Sequence, residues 1–361
     1  MRVLHIEMGK NLYGGARQLV YLIEGLNDKG VESILFAPTS SAITESISAL
    51  GNPMIEFDYR GDLDARMAFA VKRACKEFSI DLVQVHSRRG ADIWGGLGAK
   101  WAQVPAVLSR RVDNPEGRLS VALKYPLFNQ VISISEGIKK VLVDNGVGTE
   151  KITCVRSAFV ASDSQKPIGR LEFLQRFSLL EDSLVMATVA QLIPRKGHKL
   201  LIECLPELVN KYPNLQVIFF GEGAERINLE QQISSLGLAN HIQLAGFEPD
   251  LNILIGNVDI LVHPAYTEGL GVSLIQASAA SVPIVASEAG GMPEIVRDGE
   301  NGLLVPPGKK PELVTAIDRL AGSPQLRREM GLRGKAIAEQ EFSVPVMVEG
   351  NLTLYRNVLS I

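Results

Sequence analysis

The chain has 361 residues, 46% of them hydrophobic and 21% charged, with a formal net charge of −3. That length exceeds what one core fills comfortably, so two domains are expected. The charge balance argues against nucleic-acid binding by the chain as a whole. Cys75, Cys154 and Cys204 stand isolated, odd in number and without metal-ligand spacing. They read as core thiols of a cytoplasmic protein, not as a disulfide scaffold or a metal site. The opening MRVLHIEMG turns polar too soon for a signal peptide, and no run of about 18 apolar residues proposes a membrane span.

In chain order, residues 2–7 read as a strand and 9–15 as a loop holding Gly14-Gly15. Residues 16–29 read as a helix with Leu19, Leu22, Ile23 and Leu26 on one face. Gly30 ends it and 33–37 is the next strand. This is how a nucleotide-binding domain begins, yet the loop GKNLYGG lacks the G-x-G-x-x-G dinucleotide fingerprint. Strands follow at 54–57, 81–86, 106–109, 130–133 and 152–155, alternating with helices at 42–50, 64–78, 92–100, 119–128 and 136–144. Such alternation requires a parallel sheet covered on both faces.

The polar, unpatterned stretch around 158–168 is the linker candidate, giving domains of residues 1–160 and 161–342. The second series runs strand 184–189, loop 190–197, helix 198–211, strand 216–220 and the turn Gly221-Glu222-Gly223. Helix 226–236, strand 242–244 and a short helix at 251–257 come next. Helices at 310–321 and 325–342 precede the segment 343–361, whose amphipathic helix over 344–359 is expected to cross back onto the first domain. The class expected is α/β, with two doubly wound Rossmann-like domains facing a central cleft at the C-terminal ends of their strands.

The most informative stretch is DILVHPAYTEGLGVSLIQASAASVPIVASEAGGMPEIV, from Asp259 to Val296. Strand 260–262 delivers Glu268-Gly269-Leu270-Gly271 to a helix over 272–280. Strand 283–286 delivers Gly290-Gly291-Met292-Pro293-Glu294 to an expected second helix. A helix start offers unsatisfied N–H groups and the positive end of a dipole, and glycine lets an anion come close. Two such ends side by side predict a site for a diphosphate carrying a polar group. Glycine loops also serve plain α/β turns. Glu268 and Glu294, each equally at home in a first helical turn, sharpen the reading because burial does not explain them.

Lys196-Gly197, Phe220-Gly221-Glu222-Gly223, HPAYTEGLGVSLIQA, PIVASEAGGMPEIV and DGENGLLVPPG together resemble one family. It is family 4 of the retaining, nucleotide-sugar-dependent glycosyltransferases, which have the GT-B architecture. The resemblance covers nearly the whole chain and is strongest from Val185 to Val305. It implies that Glu268 is the first glutamate of an E-x7-E motif, set against sugar hydroxyls or charge developing at the anomeric carbon. It implies Lys196 as the cation that meets the diphosphate.

Two positions depart from the family pattern. Gln276 stands where a second glutamate holds the ribose hydroxyls, and Gln191 stands where an arginine is usual. Glutamine lacks the charge-assisted strength of a carboxylate, so weaker or differently tuned nucleotide binding is expected, up to loss of turnover. Arg195 is either a substitute cation or a solvated side chain. Gly269, Leu270, Gly271, Val272, Gly290, Gly291 and Met292, with Gly221 and Gly246, complete the nucleotide-sugar site that the resemblance implies. Glu222 reads as loop architecture.

The N-terminal domain is implied to bind the acceptor and the C-terminal one the donor. Gly14 and Gly15 match paired glycines at the family's first helix, where acceptor or donor phosphate meets the backbone. His86, at a strand end, is either a catalytic group that orients a hydroxyl or a structural histidine. Where the family often carries a histidine after strand 106–109, this chain has Arg110-Arg111-Val112-Asp113, suited to a phosphate or carboxylate. The doublets Arg88-Arg89 and Arg110-Arg111 lie in a basic stretch, 88–124. It points to an anionic glycan or glycolipid acceptor of the lipopolysaccharide-core kind, met peripherally at the cytoplasmic face of the inner membrane. His5, His198 and His241 carry no metal spacing, and His263 is expected to pack beneath the site.

The implied reaction moves a sugar from a UDP, GDP or ADP sugar to an acceptor hydroxyl with retention, without a metal or tightly bound cofactor. The alternatives are a sugar-nucleotide-binding protein without turnover and another GT-B enzyme such as a nucleotide-sugar epimerase. A phosphorylase would need a pyridoxal-phosphate lysine that the sequence does not display. Donor sugar, base, acceptor and oligomeric state stay open.

Overall fold

The computed structural model describes residues 1–12, 14–86, 90–159 and 167–361. Its chain divides into two compact units, Met1–Ala158 with Val344–Ile361, and Phe159–Ser343. Most of the linker candidate and the doublet Arg88-Arg89 lie outside the described residues.

The first unit contains β1 (Arg2–Ile6), β2 (Glu32–Pro38), β3 (Met54–Phe57), β4 (Leu82–Val85), β5 (Ala106–Arg110), β6 (Gln130–Ser133) and β7 (Ile152–Cys154). They form a parallel sheet in the order β3-β2-β1-β4-β5-β6-β7. The chain builds outward from β1 on one side, then returns to lay β4 on its other side, pairing Val3 with Leu82 and Ile6 with Val85. The order therefore reverses between β1 and β4, the place where doubly wound sheets open a crevice.

The helix Gly14–Asp28 buries Leu19, Leu22, Ile23 and Leu26 against the sheet. Beside it lies the last helix, Val344–Leu359, which adds Met347, Val348, Leu352, Leu354 and Tyr355 to the same core. A Cβ at Gly25 would stand 2.5 Å from Val348 Cγ2, so a larger residue there would push the last helix's side chain aside at this crossing. Gln84, buried in β4, donates to Ser109 Oγ at 2.9 Å and Asn351 Oδ1 at 3.1 Å and accepts from the Tyr355 hydroxyl. The polar groups at this seam thus satisfy one another. The helix expected over 119–128 stops at Lys124 and passes into a 3-10 turn, Tyr125–Leu127, where Pro126 has no amide to extend the ladder.

The second unit contains β8 (Leu184–Val189), β9 (Leu215–Phe220), β10 (Ile242–Gly246), β11 (Ile260–His263), β12 (Ile284–Ser287) and β13 (Gly302–Val305). They are parallel in the order β10-β9-β8-β11-β12-β13, reversing between β8 and β11. Helix His198–Lys211 and helix Lys310–Ala321 contribute Leu201, Leu205, Leu313 and Ile317 to its core. Strand β13 and the helix Arg170–Arg176 were not anticipated from the sequence.

One expectation is corrected here. The chain after Gly291 makes a three-residue 3-10 turn, Met292–Glu294, and not a helix. The buried side chain of Asn301 explains this, since its Nδ2 donates to the Ile295 carbonyl at 2.8 Å and its Oδ1 accepts from the Arg297 amide at 2.7 Å. The backbone groups that a continuing helix would pair are thereby consumed, and the chain turns into β13. Among the described residues no helix is long and apolar enough to cross a membrane.

Candidate functional site

In the second unit the reversal point brings together the loop after β8 and the loop after β11. The first of these holds a 3-10 turn, Pro194–Lys196, closed by Gly197 at φ +76°. A Cβ on Gly197 would overlap the Pro264 carbonyl, and the Tyr266 amide donates to the Arg195 carbonyl at 2.8 Å. The two loops are interlocked through their backbones.

Across this junction Lys196 Nζ donates to Glu268 Oε2, and His263 Nε2 lies 3.0 Å from that same oxygen. Glu268 Oε1 accepts from the Gly269 amide at 3.1 Å. Because a carboxylate only accepts, His263 carries its hydrogen on Nε2. Burial alone would push the Glu268 carboxyl upward, but the His263 hydrogen bond and the Lys196 ammonium outweigh it and hold the group at about 2. Glu268 is therefore an oriented anion with acceptor capacity to spare, and Lys196 retains N–H groups beyond the one used on Glu268.

The helix Val272–Ala279 begins after Gly271, itself at φ +95°; the Leu274 amide turns back onto the Gly271 carbonyl at 2.9 Å, so the Val272 and Ser273 amides are the ones that have no acceptor within the helix. This end supplies the dipole and N–H groups that the sequence proposed. The second loop does not. The Gly291 amide donates to the Glu268 carbonyl at 3.1 Å and the Met292 amide to Ala289 at 3.2 Å. A Cβ on Gly290 would overlap that same Glu268 carbonyl. Gly290 to Met292 thus buttress Glu268, with those two amides directed inward. The Gly221 amide is likewise engaged, on the Gly246 carbonyl at 2.7 Å. Gln191 and Arg195 are exposed in the loop after β8. Gln276, partly buried, donates to Asn252 Oδ1 at 2.8 Å.

His263 is buried as expected, and beyond that expectation it is a hydrogen-bonding partner of Glu268. The available signal was a histidine closing an apolar strand five residues before the loop glutamate. His198 stays apart, buried edge-on against Phe219, its pKa lowered by burial to about 4.

In the first unit the corresponding reversal point holds a cavity of about 560 Å³, lined by Glu7, Gly9, Lys10, Asn11, Gly15, Ala16, His86, Asp92, Leu108, Ser109, Arg110, Arg111, Val112 and Lys124. His86 is buried there with Nε2 3.1 Å from His5 Nδ1. Burial drives His86 well below the usual imidazole range and His5 to about 3, so both rings are neutral at pH 7. Gly14 and Gly15 open the helix Gly14–Asp28, with Gly15 on the cavity wall.

The arginine doublet divides. Arg110 is buried and spoken for, donating to Glu116 at 3.0 Å and to the Asn114 carbonyl at 2.6 Å. Lys124 pairs with Glu116 at 2.5 Å and Asp92 at 3.2 Å. Arg111 makes no close ion pair and its buried Nε no hydrogen bond among the described residues, and the buried Glu7 carboxylate on the same cavity wall acts on it as a favourable charge.

Known proteins agree with this architecture. Residues 170–336 match the family described as glycosyl transferases group 1, and residues 13–158 match glycosyltransferase family 4. The chain is 32% identical over 210 residues to the putative glycosyltransferase EpsD of Bacillus subtilis, a match covering 58% of this chain and 52% of that one. It spans about half the length of this and other curated relatives that it matches. A full-length relative is the lipopolysaccharide core biosynthesis glycosyltransferase LpsE of Rhizobium meliloti, 26% identical over 359 residues and 98% of each chain. Among solved structures, Anabaena HepE, crystallised in complex with UDP, superposes with a TM-score of 0.88 at 21% identity, covering 99% of this chain and 100% of that one. With both units matched in sequence and the fold matched over its length, the chain belongs to the group 1 glycosyltransferases of family 4 and has their GT-B fold.

Proposed function

We propose that this protein transfers a sugar from a nucleoside diphosphate sugar to an acceptor hydroxyl, with retention at the anomeric carbon. The observation that carries the reading is the convergence of Lys196 and His263 on one oxygen of Glu268 at the reversal point of the second sheet. In this reading the acceptor oxygen bonds to the anomeric carbon on the face from which the diphosphate departs. The bond from that carbon to the phosphate oxygen breaks, and the leaving phosphate takes the acceptor proton. Lys196 and the first amides of helix Val272–Ala279 stabilise the departing negative charge. Glu268, held anionic, faces the sugar, where it accepts a hydroxyl hydrogen bond or offsets positive charge at the anomeric centre. UDP in HepE supports a nucleotide donor. The likeness to LpsE, a lipopolysaccharide core biosynthesis glycosyltransferase, supports an envelope or lipopolysaccharide glycan as acceptor.

A second reading, a sugar-nucleotide binder without turnover, is favoured by Gln276, whose amide is bonded to Asn252 where the family offers a carboxylate. The deciding experiment screens UDP, GDP and ADP sugars for binding, then follows donor consumption and glycoside formation on core-glycan acceptors, with anomeric configuration read by NMR. Transfer that falls ~100-fold or more in Glu268→Ala is expected. Binding without turnover would establish the second reading, and no binding by any nucleotide sugar would defeat both.

A further inference from the structure

Lys196 has two anions to serve. In the reading above it meets the departing diphosphate, yet in the structure its Nζ donates to Glu268 Oε2. Its charge sits at the end of a flexible four-carbon stem, able to turn toward a stronger anion. A diphosphate carries more negative charge than one carboxylate, so donor binding draws the ammonium from Glu268 or divides it between the two. Another group must then keep this largely buried carboxylate ionised and oriented.

His263 meets that requirement. It closes β11, pairs with Ala286 of β12 and is 1% exposed, so strand and core together fix the ring. Its Nε2 lies 3.0 Å from the same Glu268 oxygen, and its buried Nδ1 has no hydrogen-bond partner among the described residues. An unpaired buried nitrogen costs stability, and an aliphatic side chain in this apolar strand would not incur that cost. Packing therefore does not explain the imidazole; the Nε2 hydrogen bond does. One ring N–H points in one direction, so it is not divided with a diphosphate as an ammonium is. The groups that act on Glu268 are thus Lys196 from the loop after β8 and His263 from β11, with the Gly269 amide on Oε1. His198, which acts on both of those side chains from the start of helix His198–Lys211, is lowered by burial to about 4 and is uncharged near neutrality.

We propose that His263 is the positioning residue for Glu268 in the donor-bound enzyme: His263, not Lys196, keeps the carboxylate ionised and oriented once the diphosphate has drawn the ammonium. This rests on the transferase reading, which places the diphosphate at Lys196 and the sugar at Glu268. It adds that the two side-chain partners of Glu268 become unequal when the donor arrives.

The test follows the Glu268 carboxyl itself, by NMR of the full chain with isotope-labelled glutamate carboxyls, the signal being assigned by its loss in Glu268→Gln. UDP, GDP and ADP are titrated first, and the tightest binder is then used at saturation. The signal is followed from about pH 7 to about pH 4, a range in which a group that titrates at about 2 stays ionised. In the native protein it should stay flat with and without nucleotide. In His263→Leu without nucleotide, Lys196 still holds the carboxylate, and movement should begin only toward the acid end. Nucleotide should raise the titration in that variant to the ordinary glutamate value of 4.5 or above. His263→Phe, which keeps a ring without the N–H, should behave like His263→Leu and serves where the leucine variant folds poorly. His263→Gln, which returns an N–H donor, should restore the flat signal. Nucleotide affinity should stay within about threefold in the leucine and phenylalanine variants and fall roughly tenfold or more in Lys196→Ala. A flat signal in nucleotide-bound His263→Leu and His263→Phe overturns the proposal, as does equal movement with and without nucleotide. Binding of none of the three nucleotides to the native protein defeats the transferase reading, and the proposal falls with it.

Discussion

A largely buried carboxylate stays ionised only when its neighbours compensate for lost solvation, and at Glu268 a lysine and a histidine do so on a single oxygen. The consequence is a pH signature. The folded group titrates at about 2, against 4.5 for an ordinary glutamate, so the unfolded chain binds this proton more tightly. Its stabilising effect is complete above the unfolded value and is lost as pH falls through the folded one. Comparing urea unfolding of native protein and Glu268→Gln, the native advantage should be on the order of 2 kcal/mol near neutrality and shrink steadily from about pH 4.5 downward. A gap that stays constant down to about pH 3 would mean that the contact is not ionic. Lys196 and Glu268 were legible in the sequence because each sits in a glycine-punctuated loop just after a strand. His263 was not, since a histidine at the end of an apolar strand ordinarily belongs to the core. Nor could the sequence divide Arg110 from Arg111. Adjacent residues leave a strand in opposite directions, and only the folded loop shows which one meets Glu116.

Between elements, the site depends on how two loops lock. Gly197 occupies the left-handed region at φ +76° with the Pro264 carbonyl where a side chain would begin. Alanine there must both strain the backbone and push the loop after β11 away from Lys196. Gly299 provides the comparison, because at φ +73° it has open space around its missing Cβ and pays for strain alone. Gly299→Ala should cost about 1 kcal/mol. Gly197→Ala should cost about 2–4 kcal/mol and reduce donor affinity besides. Thermal melting and UDP titration of both variants check this, and equal effects would show that the loops move independently. The strand–helix alternation that frames these loops was readable from periodicity, apart from the end of the stretch at 292–305. There a sequence that opens like a helix, with Pro293 and Glu294, is diverted by Asn301 taking the groups that a second turn needs. A buried asparagine reaching six residues back leaves no periodic mark, so the helix was over-read and β13 missed.

At the scale of the molecule, the two units differ in how the chain closes them. The second is continuous from Phe159 to Ser343, whereas the first must wait for Val344–Ile361 to complete its core. Gln84 and Tyr355 are 271 residues apart in sequence, yet they are hydrogen-bonded and fully enclosed. Long-range closure of this kind makes a unit slow to form and leaves its apolar surface uncovered until the last helix arrives. Tyr355→Ala removes an aromatic ring from that core and leaves the buried Gln84 carbonyl unpaired, a loss of about 3–5 kcal/mol. Tyr355→Phe keeps the ring and should cost only about 1 kcal/mol. Hydrogen exchange gives the local readout. In the alanine variant, peptides covering β1, β4 and the helix Gly14–Asp28 should exchange faster, because each packs in the core that Tyr355 fills. Peptides covering β8 and β11 should keep native protection, since the second unit has its own closed core. Equal loss of protection in both sheets would show that the two cores unfold as one cooperative body, and the C-terminal helix would then stabilise the whole chain and not its first unit alone.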